Sequence, residues 1–203
     1  MKESTERKIL IATGNPGKVA EIRDMLKDLP VEIIGLSSFP GIEEPEETGS
    51  TFEANALLKA DYYHEKTGLL TVADDSGLCV DALDGRPGVY SARYGGPASN
   101  DKDRYRKLLE ELKDVPTEKR TARFVCVAAT VGDGIRQTRS GSAEGVILDS
   151  PRGEGGFGYD PVFFYPALNK TFAELTKEEK AAVSHRGKAF AKLIPIITEC
   201  FTK

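Results

Sequence analysis

The stretch KILIATGNPGKVAEI, residues 8–22, runs from an apolar segment through a glycine turn into a helical pattern. Residues 8–13 read as a buried strand. Val19, Ile22, Leu26 and Leu29 recur at helical spacing, which predicts a helix over about 16–29. Gly14 can turn the chain sharply, Asn15 is a good N-cap, and Pro16 suits the first helical position, where no N–H is needed. The new helix end offers the Gly17 and Lys18 amides and a positive dipole to an anion, and Lys18 adds a full charge. Two known phosphate loops are excluded. The spacing is GxxGK followed by Val19, whereas a Walker loop needs GxxxxGK and then Ser or Thr; GxGxxG is absent. Taken alone, the turn suits an anion cradle and a plain strand–helix connection equally.

Working outward, residues 31–36 read as a second strand and 51–67 as a helix opened by a Ser50–Glu53 capping box. LLTVADDSG reads as a strand running into an acidic turn, and LCVDAL as a further strand. Residues 83–100 are turn-rich, and 101–113 form a charged helix ended by DVP. The runs 122–131 and 135–148, joined by Gly-Asp-Gly, carry a strong hairpin signal. A glycine turn into a strand follows, then helices near 176–183 and 186–200, separated by a break at SHRGK. Strands and helices alternate early and a hairpin enters late, so the fold class is α/β with a mixed sheet. No repeat or linker divides the 203 residues, which predicts a single domain over 1–203.

Composition narrows the partners. With 39% hydrophobic and 30% charged residues and a net charge of −4, the chain is an ordinary soluble globular type. It lacks the basic surface that nucleic acid or an anionic membrane selects. No apolar run approaches the roughly 20 residues of a membrane span, and MKESTERK is too polar for a secretion signal. Three widely spaced cysteines without CxxC predict reduced, buried thiols in a cytoplasmic protein and do not support zinc.

Four segments carry chemistry. Asp74 and Asp75 are costly to bury unpaired; magnesium resolves that cost, and one carboxylate can orient or deprotonate water. An Asx turn is the plainer reading of the pair. The loop EEPEETG supplies Glu46 and Glu47 as further metal candidates, unless it is simply solvated. GGFGYDP, residues 155–161, sets Phe157 and Tyr159 among glycines, where an aromatic ring can stack on a base. Lys180, His185 and Arg186 gather before and within a glycine-containing turn, whereas His64 sits on a polar helical face with no evident role. Jointly these fit a magnesium-dependent enzyme acting on a nucleoside polyphosphate.

TGNPGK, EETGSTFEANALLKA, ADDSGLCVDAL, RPGVYSARY, GGFGYDPVFF and LTKEEKAAVSHRGKA, in this order, resemble the inosine triphosphate pyrophosphatase family over nearly the whole chain. The resemblance implies hydrolysis of ITP, dITP and XTP to the monophosphate and pyrophosphate with Mg2+, by a homodimer. It also implies a long mixed sheet flanked by helices, in two lobes with the active site in the cleft between them. By position it makes Thr13, Gly14, Asn15, Pro16, Gly17 and Lys18 substrate contacts, most plainly of the phosphates. Asp75 becomes proton acceptor and metal ligand, with Glu47 or Glu46 beside it. Ser76, Phe157, Gly158, Tyr159, Asp160, Lys180, His185 and Arg186 become the remaining substrate contacts. Some members of the family carry glutamate directly before the helix asparagine. Here Ala54 precedes Asn55, so Glu53 reads as a capping residue and not a metal ligand. The alternatives are a related pyrophosphatase of modified pyrimidine or canonical dNTPs, and a nucleotide sensor that hydrolyses nothing.

Overall fold

A computed structural model describes residues 7–96 and 98–202. The polar N-terminal stretch MKESTERK lies largely outside them. Seven strands, β1 (Lys8–Ile11), β2 (Glu32–Gly35), β3 (Leu70–Val80), β4 (Thr121–Gly132), β5 (Ile135–Ile147), β6 (Phe163–Tyr165) and β7 (Lys170–Thr171), form one sheet. Its order is β2-β1-β3-β4-β5-β6-β7. β1 pairs in parallel with β2 and β3, whereas β5–β6 and β6–β7 are antiparallel, so the sheet is mixed as expected. The helices are α1 (Pro16–Leu26), α2 (Phe52–Thr67), α3 (Asp101–Glu111), α4 (Lys177–Val183) and α5 (His185–Thr202).

Local chemistry accounts for these elements. β1 lies between two parallel neighbours, so Ile9, Leu10 and Ile11 are all fully buried and the strand reads as an unbroken apolar run. Each such side chain contributes roughly 1.5–3 kcal/mol on leaving water. Between β4 and β5, Asp133 and Gly134 both take positive φ (50° and 78°), the geometry of the two-residue hairpin turn.

The chain forms two compact units, Met1–Asp75 with Val127–Ser140 and Ala189–Lys203, and Ser76–Cys126 with Gly141–Lys188. The first has a core of Leu10, Ala12, Ala56, Ala60, Tyr63, Ala73 and Val127 with their neighbours. In the second, Leu78, Tyr105, Leu108, Phe124, Ile147, Phe163 and Phe172 are central.

Several sequence expectations are corrected. The acidic pair does not end a strand: β3 continues through it to Val80, because Leu78 and Val80 beyond it are apolar and fully buried. α2 is capped by Thr51, whose hydroxyl accepts from the Ala54 amide, not by a Ser50–Glu53 box. Glu53 instead accepts from Thr138 Oγ1 at 2.5 Å. The break at SHRGK is a single residue, Ser184, since His185 already opens α5. Of the three free thiols only Cys126 is buried; Cys79 and Cys200 are partly exposed. His64 has a structural role, because its Nδ1 pairs with the Leu69 carbonyl at 2.7 Å, beyond the end of α2. Among the described residues no helix is long and apolar enough to cross a membrane.

Candidate active site

In the first unit, the turn after β1 is capped as expected, except that the cap takes the Lys18 amide expected to face an anion. Asn15 caps α1, its Oδ1 accepting from the Lys18 amide at 3.1 Å, and its own amide donates to Thr13 Oγ1 at 3.2 Å. Gly14, Asn15 and Pro16 are exposed and Gly17 half-buried. With the Lys18 amide occupied by the cap, the residue offers its ammonium, which lies 3.3 Å from Asp74 Oδ2.

Asp74 and Asp75 are buried, and α2 answers them with two polar side chains one turn apart. Asn55 and Lys59 share a face because residues four apart stack along a helix. Lys59 Nζ stands 2.6 Å from Glu47 Oε1 and 3.3 Å from Asp75 Oδ1. Asn55 donates to Asp75 Oδ2 at 3.3 Å and accepts from the Gly49 amide at 2.8 Å, so it ties the acidic loop to the buried carboxylate. Of the two loop glutamates, Glu47 reaches this group and Glu46 is exposed.

Three carboxylates (Asp74, Asp75, Glu47) thus face two ammoniums (Lys18, Lys59), leaving one formal negative charge in excess. The titration follows. Burial raises the Asp75 pKa above the ordinary 3.8, with Lys59 and Lys18 opposing and Glu47 and Asp74 adding to the rise. Burial pulls the Lys59 ammonium down, but Asp75, Asp74 and Glu47 outweigh it and hold its pKa above 10.5. A buried site short of positive charge, built from hard oxygen donors, suits a magnesium ion. Among the described residues no three His, Cys, Asp or Glu side chains are already gathered around a metal position. Magnesium asks for less, since it commonly takes one or two carboxylates, with phosphates and water completing its shell. Asp75 and Glu47 are the residues that fit it.

The second unit gathers the remaining predicted residues. Ser76, next after Asp75 in β3, accepts from Arg186 Nη2 at 2.9 Å. The Arg186 guanidinium is 5.6 Å from the centroid of the half-buried Phe157 ring, and Lys180 Nζ is 4.7 Å from it. Cations at such distances are drawn to the ring face. Lys180 also pairs with Asp160 Oδ2 at 2.5 Å, and that same oxygen accepts from the Phe157 amide at 2.9 Å. Tyr159 is buried, with its hydroxyl on the Ser91 carbonyl at 2.8 Å, and burial pushes its pKa up. The His185 ring, 4% exposed, stacks on Phe124 at 4.7 Å and 11°. Asp160, Tyr159 and His185 therefore brace this cluster, and the Arg186 guanidinium, itself only 1% exposed, lies beside the half-buried Phe157 ring.

Sequence reasoning missed Asn55 and Lys59. The available signal was a polar residue at each of two positions four apart, beside the core residues Ala56 and Ala60 on the same helix.

The family model described as Ham1 family matches residues 9–196. The chain belongs to the Ham1 family. A dITP/XTP pyrophosphatase of Geobacter sulfurreducens is 54% identical over 187 residues, covering 92% of this chain and 94% of that protein. One of Thermus thermophilus is 53% identical over 188 residues, covering 92% and 90%. Among solved structures, a HAM1 protein from Coxiella burnetii superposes with a TM-score of 0.85 at 42% identity, covering 95% of this chain and 99% of its own. The Staphylococcus aureus Ham1 protein gives 0.83 at 42% identity, covering 94% and 98%. The helix-flanked mixed sheet is thus that of Ham1 proteins, and both clusters lie within the matched residues.

Proposed function

We propose that this chain hydrolyses the non-canonical purine nucleoside triphosphates ITP, dITP and XTP to the monophosphate and pyrophosphate, clearing deaminated purines from the nucleotide pool. The observation that carries the reading is the buried Asp75–Lys59 pair, with the half-buried Glu47 on it, in a chain 54% identical to a dITP/XTP pyrophosphatase. Asp75 takes the proton of an attacking water as its oxygen bonds to the α-phosphorus. The α–β phosphoanhydride breaks, and pyrophosphate leaves. Lys18, at the end of α1, offsets charge on the phosphates, and Lys59 holds the Asp75 carboxylate in position. Asp75 and Glu47 would hold a magnesium ion, which would supply charge neutralisation for the phosphates when bound.

Phe157 and Arg186 are assigned to the base. Hypoxanthine and xanthine present an acceptor at O6, which the Arg186 donors can meet. Adenine presents an amino group there, leaving donors facing donors. Lys180, paired with Asp160 Oδ2 and 4.7 Å from the Phe157 ring centroid, is kept as a substrate contact beside that ring.

The test is pyrophosphate release from ITP, dITP, XTP and ATP with Mg2+, and with EDTA as control. ITP and XTP are expected to exceed ATP by at least about a hundredfold in kcat/KM, the scale of an unpaired buried donor, and EDTA to stop all turnover. Equal turnover of ATP and ITP overturns the base assignment. We also propose a cytoplasmic homodimer. The family resemblance and three free cysteines support it, and sedimentation is expected to give about twice the chain mass of 22.1 kDa.

A further inference from the structure

Phe157 stands between two glycines in left-handed backbone, Gly156 (φ 71°) and Gly158 (φ 63°). Such a pair can act as a double hinge, because glycine has no Cβ to hold either conformation. The peptide planes on both sides of Phe157 are nevertheless gripped by carboxylates. On the N-terminal side, the Phe157 amide donates to Asp160 Oδ2, within the loop itself. On the C-terminal side, the Gly158 amide donates at 2.7 Å to Asp101 Oδ2, 57 residues away in sequence.

Asp101 is the first residue of α3, directly after the cap Asn100, whose side chain accepts from the Asp103 amide. That leaves the Asp101 carboxylate without capping duty and turned to the loop. Its other oxygen accepts from Arg104 Nη1 at 2.7 Å, and Arg104 Nη2 donates to the Ser99 carbonyl at 2.8 Å. The carboxylate is therefore fixed from behind by a guanidinium that is itself anchored. Nothing in the family motifs read from the sequence included this residue.

We propose that Asp101 is a positioning residue: it clamps the peptide after Phe157 so that the ring faces Lys180 and Arg186 in the orientation that receives the base. The inference rests on the reading of Phe157 as the base contact. Without the clamp the peptide after Phe157 keeps only the bond from the Asp160 amide to the Phe157 carbonyl, at 3.2 Å, and the loop can pivot at Gly158, so the bound base loses its ring face while the carboxylate–lysine cluster keeps its geometry. The loss falls on KM and not on kcat.

The experiment uses the full chain with ITP and Mg2+. Asp101→Ala is expected to raise KM for ITP about tenfold, with kcat within about threefold of wild type. Asp101→Asn keeps a carbonyl acceptor and is expected to recover most of that loss. In a Phe157→Ala background, Asp101→Ala is expected to add nothing further, because both remove the same contact. Amide exchange at Gly158, measured without nucleotide, is expected to quicken at least about tenfold in Asp101→Ala while β4 amides stay unchanged. If Asp101→Ala does not fold, Asp101→Ser, too short to span the same distance, takes its place in each comparison. A KM within twofold of wild type, effects that multiply with Phe157→Ala, or unchanged Gly158 exchange overturns the proposal. A wild-type protein inert toward ITP instead refutes the functional reading, and the exchange measurement still decides whether the clamp exists.

Discussion

Asp75→Asn is expected to abolish pyrophosphate release from ITP while nucleotide binding persists. A positioned general base contributes about 10²–10⁴-fold, and in the proposed mechanism the same carboxylate would also hold the magnesium ion, so the loss is expected at the upper end of that range. Near-normal turnover refutes the role. The fold survives the change. Asn55 and Lys59 both donate to Asp75, at 3.3 Å each, so an asparagine there keeps one of these bonds and turns its own amino group toward the other donor. That mismatch costs on the order of 1–3 kcal/mol, offset by relief from burying a charge.

The pH dependence separates the two effects. Because burial holds the Asp75 pKa above the ordinary 3.8, its linkage contribution is fully present below about that pH and is lost as pH rises through the higher folded value. Asp75→Asn removes this fall in stability with pH, which thermal melts in EDTA from acid to neutral pH measure. Under the proposed mechanism activity needs the ionised carboxylate, so metal-free stability and activity are expected to run in opposite directions across the same window.

Gly187→Ala is expected to cost about 3 kcal/mol, at the upper end of what small overpacked side chains cost. A Cβ on Gly187 falls inside van der Waals contact with the Ala181 carbonyl oxygen, a backbone atom that cannot rotate away. The Gly187 amide donates to Ser184 Oγ at 3.0 Å, and Ser184 in turn donates its amide to the Lys180 carbonyl at 2.8 Å. The α4–α5 turn is therefore closed on itself, and the methyl can be accommodated only by opening it. For a chain of this size, 3 kcal/mol lowers Tm by roughly 6–12 °C. Since Arg186 precedes Gly187 and bonds Ser76, the same opening withdraws the guanidinium, and KM for ITP is expected to rise more than about tenfold. A Tm within about 2 °C of wild type, read by differential scanning calorimetry, refutes this account of the turn.

Much of the site is legible in the sequence. The Asn15 cap, Pro16 at the helix start and the Asp133-Gly134 hairpin turn are local: each satisfies or pre-sets the backbone of its immediate neighbours, so adjacent residues suffice to read them. The acidic pair reads as a turn for the same reason, since nearby residues alone argue against two carboxylates inside a strand. What keeps Asp74 and Asp75 in β3 comes from elsewhere in the chain, namely Lys18 in α1 and Lys59 and Asn55 in α2.

By itself the sequence determined the α/β class, the Asn15-capped helix start, the stock of carboxylates, cations and aromatics, and the resemblance that joins them. Only the tertiary structure decided which of these meet. It pairs Glu47 with Lys59 and leaves Glu46 exposed, adds Lys59 and Asn55 beside Asp75, buries His185 against Phe124, and sets Asp101 under the Gly158 amide. The physical reason is common to all four. A buried or half-buried polar group finds its partner within contact distance, and that partner is chosen by how strands and helices pack. The partners lie far apart along the chain, 57 residues in the case of Asp101 and Gly158, and local sequence periodicity is blind to such separations.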